Sequence, residues 1–329
     1  MASTSLQSAL TPAVETTEPP AAPAGGRKTW RKDGRAAVLF LAPWFVGLVG
    51  ITLGPIIASL VLSFTDYNLL SDPNWVGLEN YRAMLEDERL HQALRVTITY
   101  TVVGVPAQLV VALGLAIVLD RGVRGLPLYR SIYYLPSLLG GSVAIAILWR
   151  LIFGTRGLVN QVLELPVVSD LAGLVGLTPT GWISNPDTAL WTIVLLHVWT
   201  FGSPMVIFLA GLRQIPAMYY EAASVDGAGW FTRFFRITLP LLTPIIFFNL
   251  VLQVINSFQS FTQAFIVSGG KGGPADATLF YTLYLYQEGF KNFDMGYASA
   301  MAWLLLTIIA GFTAVNFIAA RYWVFYGDE

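Results

Sequence analysis

Glu221 to Pro240 reads EAASVDGAGWFTRFFRITLP, a stretch that places acids, arginines, small residues and turn-formers between two long apolar runs. What such a segment does depends on the side of a membrane it faces, and composition establishes that there is a membrane. Of 329 residues, 55% are hydrophobic and only 12% charged, with a mean hydropathy of +0.62. The apolar residues gather in blocks too long for the elements of a soluble core and long enough to cross a bilayer, which takes about 20 residues. Cysteine is absent, which removes disulfides, thiolate metal sites and a catalytic thiol, and two histidines argue against a multi-histidine metal centre.

Six blocks qualify as spans, near Ala36–Phe64, Val96–Leu119, Ser131–Phe153, Ala189–Leu212, Ile237–Phe265 and Tyr297–Ala320. The fold class is therefore an all-α integral membrane protein with six transmembrane helices. Each span carries a proline or glycine, namely Pro55, Pro106, Pro136, Pro204, Pro244 and Gly311. Membrane helices tolerate these because neighbouring helices satisfy the backbone groups they free. The Ala-, Pro-, Thr- and Ser-rich opening residues read as a disordered tail, counted to residue 35, ahead of a membrane domain over 36–326. The first apolar run follows RKTWRK and is too long for the core of a cleavable signal, so it reads as a retained anchor.

Lys and Arg set the orientation. With the N-terminus inside, twelve of the 19 fall on the cytoplasmic side: Arg27, Lys28, Arg31, Lys32, Arg35, Arg121, Arg124, Arg130, Arg213, Arg233, Arg236 and Arg321. Most acids fall outside, so the inner segments are net positive and the outer ones net negative. Both termini are expected in the cytoplasm, and the Glu221–Pro240 segment with them.

On that side the segment reads as a helix, a reversal and a second short helix, within a loop over residues 216–240. Pro216 suits a helix start and Gly227 the position just past its end. Ala222 and Ala223 leave a face that another protein surface can approach closely. Phe231, Phe234 and Phe235 beside Arg233 and Arg236 suit a helix at the membrane face, and Pro240 opens the next span. Its bland reading is an ordinary connector.

The spacing Glu221, Ala222, Ala223, then Gly227, Ile237, Leu239 and Pro240, with Asp226 beside Gly227, resembles the EAA loop of permease subunits of binding-protein-dependent ABC importers. VGLENY (76–81), LPLYRSIYYLP (126–136), GWISNPDTAL (181–190), GGP (272–274) and GYASA (296–300) are similar to the maltose-type carbohydrate branch of that family. The resemblance spans about Ala36 to Tyr326. It implies the MetI-like type I permease fold in a bacterial inner membrane, with the Glu221–Gly227 helix docked on an ATP-binding subunit. Glu221 would be the polar anchor, Gly227 the hinge and Asp226 a helix-end group or second anchor. Further implied partners are a second, homologous permease chain completing a heterodimer, a dimer of ATP-binding subunits, and an extracytoplasmic solute-binding protein; no nucleic acid is expected. The chain itself lacks a G-x-x-x-x-G-K-[ST] stretch, since GGKGG at 269–273 has Phe265 where the first glycine belongs. It is expected to be no enzyme and to hold no cofactor, with ATP and Mg bound by the partner ATPase.

The expected substrate path lies on the fifth span. Asn249, Gln253, Asn256, Ser260 and Gln263 recur at steps of four, three, four and three, with Gln259 beside them. Amides in lipid are costly, so the stripe must face protein or water, and amides and hydroxyls both donate to and accept from sugar hydroxyls. Phe258, Phe261 and Trp199 could stack on a sugar ring. His197, Thr200 and Ser203 form a second candidate wall. The competing reading is that these groups only bind helices together. The acids lie in loops or at span ends, which speaks against an ion-coupled secondary transporter; other solutes for the same importer type are a glycerol phosphate, an amino sugar or a polyamine.

Overall fold

A computed structural model of the chain describes residues 30–121, 125–174 and 178–325. The expected tail lies outside the described residues as far as residue 29, as do residues 326–329 at the other end. The chain divides into two units, Met1–Ile57 and Ala58–Glu329. The described part of the first is helical: α1 (Trp30–Gly47), a π-helical turn over Leu48–Leu53, and α2 (Gly54–Leu62), which runs on into the second unit. Its apolar part, Ala37–Leu62, has 26 residues. At 1.5 Å per residue that is about 39 Å, enough for a hydrocarbon core of about 30 Å.

In the second unit, α3 (Glu79–Glu86) precedes the long α4 (Glu88–Asp120). Next come α5 (Leu126–Leu139) and α6 (Val143–Ile152), then the short α7 (Leu158–Leu163) and α8 (Pro166–Leu174). The fourth apolar segment is α9 (Pro186–Trp199) and α10 (Gly202–Leu212). After α11 (Ala217–Val225) and α12 (Trp230–Arg233), a π-helical turn over Phe234–Thr238 leads into α13 (Leu239–Phe258) and α14 (Thr262–Val267). The chain closes with α15 (Tyr281–Tyr286) and α16 (Met295–Trp323). Among the described residues the only β pairing is an isolated bridge between Thr65 and Trp75.

Among the described residues five helical segments are long and apolar enough to cross a membrane, and α5 with α6, bent by 94° at the break between them, makes a sixth if the pair counts as one span. These correspond to the six expected blocks with shifted ends. The second starts at Glu88 rather than Val96, because Asp87 caps it by accepting the N–H groups of Arg89 and Leu90. The third, placed as one block over Ser131–Phe153, folds as two helices, α5 and α6. The fourth is interrupted at Thr200–Phe201, whereas the helix runs on through Pro106 and Pro244.

α4 is the centre of the packing, against α9, α10, α13 and α15. Its buried face reads Ala93, Thr97, Thr101, Gly104, Gln108, Ala112 and Ala116, at steps of three and four. Small side chains let neighbouring backbones come close, the usual means of helix association in lipid, where burial of apolar surface drives little. The hydroxyls on this face tie helices together: Thr97 Oγ1 accepts the N–H of Tyr281, and Thr101 Oγ1 accepts from Ser257 Oγ at 2.9 Å.

At the start of α4, the Asp87 carboxylate also accepts the hydroxyls of Tyr284 and Tyr297, both at 2.7 Å, joining α4, α15 and α16. Burial pushes its pKa up, but the two tyrosines and the backbone N–H groups outweigh that and hold it below the usual carboxylate value. Arg89 continues the clasp, pairing with Asp276 at 3.0 Å and lying over the Tyr284 ring. A folded-state pKa below the unfolded one stabilises above about pH 4 and is lost as pH falls through the folded value. Asp87→Ala should lower stability by about 2 kcal/mol at neutral pH, from the lost cap and two stranded hydroxyls. The thermal midpoint of the purified protein checks this, and the gap to wild type should shrink below about pH 4.

Candidate translocation cavity and coupling segment

Pro204 stands in the first turn of α10 and has no N–H. In an unbroken helix that N–H would bond the carbonyl of Thr200, so a bare carbonyl is left at the break. Two side chains from other helices take it up. Gln108 Nε2 lies 3.0 Å from Thr200 O, from Thr200 Oγ1 and from His197 O. Ser137 Oγ donates to Thr200 O at 2.9 Å and accepts the N–H of Ser203 at 2.8 Å. The second break, at Gly140, is answered in the same way, with Gln263 Nε2 donating to Gly140 O at 3.1 Å. Glycine is needed where these pieces meet: a Cβ on Gly202 would stand 2.6 Å from Tyr133 O and 2.8 Å from Tyr134 Cα.

The two breaks face one cavity of about 260 Å³, lined by Tyr100, Gln108, Ser137, Gly140, Gly141, His197, Thr200, Ser203, Pro204, Gln253, Asn256, Ser260 and Gln263. That is a little below the about 300 Å³ at which drug-sized pockets begin, so its size suits one small polar group at a time. No Asp, Glu, Lys or Arg lines it. Its chemistry is hydroxyl, amide, one imidazole and exposed backbone, which can exchange hydrogen bonds with a neutral polar solute and offers nothing to hold a full charge.

Of the expected path residues, Gln253, Asn256, Ser260, Gln263, His197, Thr200 and Ser203 meet in this cavity. Asn249 and Gln259 do not line it. Asn249 is fully buried in the helix packing, its Nδ2 donating back to Ile245 O and its Oδ1 without a partner. Gln259 caps the end of α13, where the helical repeat stops, so Ser260 and Gln263 reach the cavity across a kink rather than along a straight stripe. Phe258 is likewise unavailable for a sugar ring, being buried against Phe312; Phe261 packs on Phe265 and Tyr286, and Trp199 lies near Trp149. Periodicity on the fifth span alone missed Tyr100, Gln108, Ser137 and the Gly140–Gly141 pair. The signal for Gln108 was present, as the one long polar side chain on the small-residue face of α4.

The Glu221–Pro240 segment folds as a helix, a reversal and a helix. Pro216 sits at the cap position rather than inside, and α11 runs Ala217–Val225. It ends in a Schellman motif: Ala228 N–H bonds Ala223 O, Gly227 N–H bonds Ser224 O, and Gly227 has φ +71°. The reversal is pinned by Arg233 Nε on Ala228 O at 2.7 Å and by the Tyr220–Thr238 hydroxyl pair at 2.9 Å. Leu239 and Pro240 then open α13, following Ile237 in the π-helical turn. Ala223 is turned inward and buried, whereas Glu221 and Ala222 are exposed, so only one alanine of the pair offers the small face. With Met218 and Val225, Ala222 makes an exposed stripe at helical spacing, and Val225 is 90% exposed. Asp226 is the exposed C-cap.

Five apolar helical segments and a bent helix pair, with breaks around an uncharged polar cavity, and an exposed helical hairpin between α10 and α13 describe a multi-pass membrane protein. Residues 94–323 match the family of inner membrane components of binding-protein-dependent transport systems, and the chain belongs to that family. It is 51% identical over 301 residues to the probable ABC transporter permease protein YesP of Bacillus subtilis, covering 91% of this chain and 94% of that one. The arabinooligosaccharides transport system permease protein AraP of the same bacterium is 32% identical, over 87% and 88% of the two chains. Among solved structures, a chain of the bacterial alginate ABC transporter in complex with an alginate pentasaccharide-bound periplasmic protein shares the fold. Its TM-score is 0.70 at 19% identity, covering 89% of this chain and 97% of that one.

The left-handed Gly227 tests the hairpin. Gly227→Val should cost about 1–2 kcal/mol locally and speed limited proteolysis within residues 216–240. Gly229→Val, at φ −71° with nothing within 4 Å of the added Cβ, should leave the cleavage rate unchanged.

Proposed function

We propose that this chain is one of two homologous permease subunits of an ATP-driven importer that passes a carbohydrate, mono- or oligosaccharide, inward through the polar cavity. The observation that carries this reading is the cavity itself, with its hydroxyl and amide walls and no charged side chain. A phosphate ester or a polyamine would call for a counter-charge that these walls lack. The likeness to a permease named for arabinooligosaccharide transport supports the same class.

In this reading both termini and the Glu221–Pro240 hairpin face the cytoplasm, as the distribution of Lys and Arg favours. Two ATP-binding subunits hold ATP and Mg, and one takes the exposed Met218–Ala222–Val225 stripe with Glu221 at its edge. A loaded solute-binding protein docks on the net negative outer loops. Closure of the ATPase pair pushes α11, and the broken spans turn as rigid pieces so that the cavity opens outward. Hydrolysis and reopening release the sugar inward.

The reading is tested on the complex purified with its second permease, ATPase and binding protein. Hydrolysis of ATP should rise with one class of neutral saccharide and not with phosphate esters, amino sugars or polyamines. Asn256→Ala should lower the uptake rate roughly three- to tenfold, the worth of one hydrogen bond to the solute. A complex without associated ATPase, or one that answers only to charged solutes, would contradict the proposal.

A further inference from the structure

Gln108 is 99% buried, halfway along α4, and it grips the broken fourth span at the cavity. One amide group meets three acceptors there, and Gly104, one turn away on the same face, leaves room for the His197 ring, whose Cδ2 would lie 3.1 Å from an added Cβ. α4 thus holds both the side chain and the carbonyl of residue 197. At its far end α4 meets the hairpin and the helix that leads into it: Asp120 pairs with Arg213, the residue that ends α10, at 3.5 Å, and the guanidinium of Arg121, the C-cap of α4, lies 5.5 Å from the centre of the Trp230 ring in α12. Its other end is fixed by Asp87 to α15 and α16. Between these ends α4 is an unbroken helix of 33 residues.

We propose that Gln108 is the positioning residue that links the hairpin to the cavity: when α11 and α12 move, α4 moves with them, and Gln108 carries the displacement to the Thr200 break. Two further observations fit a linkage that changes partners. Gln108 Oε1 and His197 Nε2 are buried without hydrogen-bond partners. Both residues border the cavity, unlike the equally unpartnered Asn249, so a shift of the broken span can bring each free atom a new partner. The proposal rests on the reading of this chain as an importer permease.

The test measures uptake and ATP hydrolysis together, in proteoliposomes holding the whole complex with saturating loaded binding protein. Gln108→Leu keeps the bulk and removes the donors. It should lower the substrate moved per ATP hydrolysed about fivefold or more, the lower end of ordinary coupling between sites. A purely structural role would lower the yield of complex and both rates in proportion, leaving that ratio as in wild type, and this result overturns the proposal. Because the residues act on one link, Gln108→Leu combined with Trp230→Ala should be no worse than the more severe single variant. Losses that multiply would also overturn it. Should Gln108→Leu fail to assemble, Gln108→Asn keeps an amide on a shorter stem and should lower the ratio in the same direction; an unchanged ratio contradicts the linkage. A wild-type complex whose hydrolysis ignores every saccharide would defeat the importer reading itself, a result distinguishable from a coupled wild type with a silent Gln108.

Discussion

A backbone carbonyl without a donor inside a bilayer costs several kcal/mol, and Pro204 creates one at Thr200. Much of the membrane domain answers that constraint. The carbonyl is met by an amide from α4 and a hydroxyl from α5, so three helices must converge at one depth. They can do so because Gly202 lets the backbone of α5 approach and Gly104 leaves room for the His197 ring. The second break, at Gly140–Gly141, brings its own carbonyl to the same place and draws Gln263 from α14. A polar cavity is the outcome. Irregular backbone at membrane depth persists where it is buried in protein or lines a polar cavity, and here it does both.

The same helices that close the cavity also reach the hairpin, and this ties local chemistry to transport. α11 is stopped by a glycine in the left-handed region, reversed, and held by Arg233 and Tyr220, so it is a firm projection rather than a loose loop. Its inner alanine is occupied by the chain's own packing, and its outer stripe of Met218, Ala222 and Val225 is left open. An exposed apolar stripe on a short helix suits the docking proposed for it. α4, anchored at both ends and clasped in the middle, gives a push on that helix a direct mechanical route to the breaks.

Much of this was legible in the sequence. Composition and block length gave the helical membrane class and the places of its apolar segments, five continuous and one bent, and the EAA spacing marked the hairpin, because Gly227 and the prolines act locally. The stripe on the fifth span was found by its period, but the period put Asn249 on the path and proximity to the stripe put Gln259 there. Their placement depends on where α13 ends and on what packs against it, which no single helix encodes. The breaks were not foreseen: six prolines and glycines looked equivalent, of which Pro204 stands at a break, while the other break falls at Gly140–Gly141, which was not among the six. Pro106 and Pro244 lie within helices that carry on through them. Pairing across 63 residues of chain, as of Ser137 with Thr200, or across 123, as of Gln263 with Gly140, leaves no local trace.

The absence of cysteine makes the central claim, that the polar cavity is the passage, open to direct measurement. Ser260→Cys and Ser203→Cys would each supply the chain's single thiol on the cavity wall, with Ser257→Cys, buried against Thr101, as a control. Their reaction with a membrane-impermeant thiol reagent would be followed in the assembled complex, with and without a nucleotide that holds the ATPase closed. The account predicts labelling at 260 and 203 that depends on nucleotide and is slowed by the transported sugar, with none at 257. Thiols at 260 and 203 that stay unreactive in every state, or that react without regard to nucleotide and sugar, would contradict it.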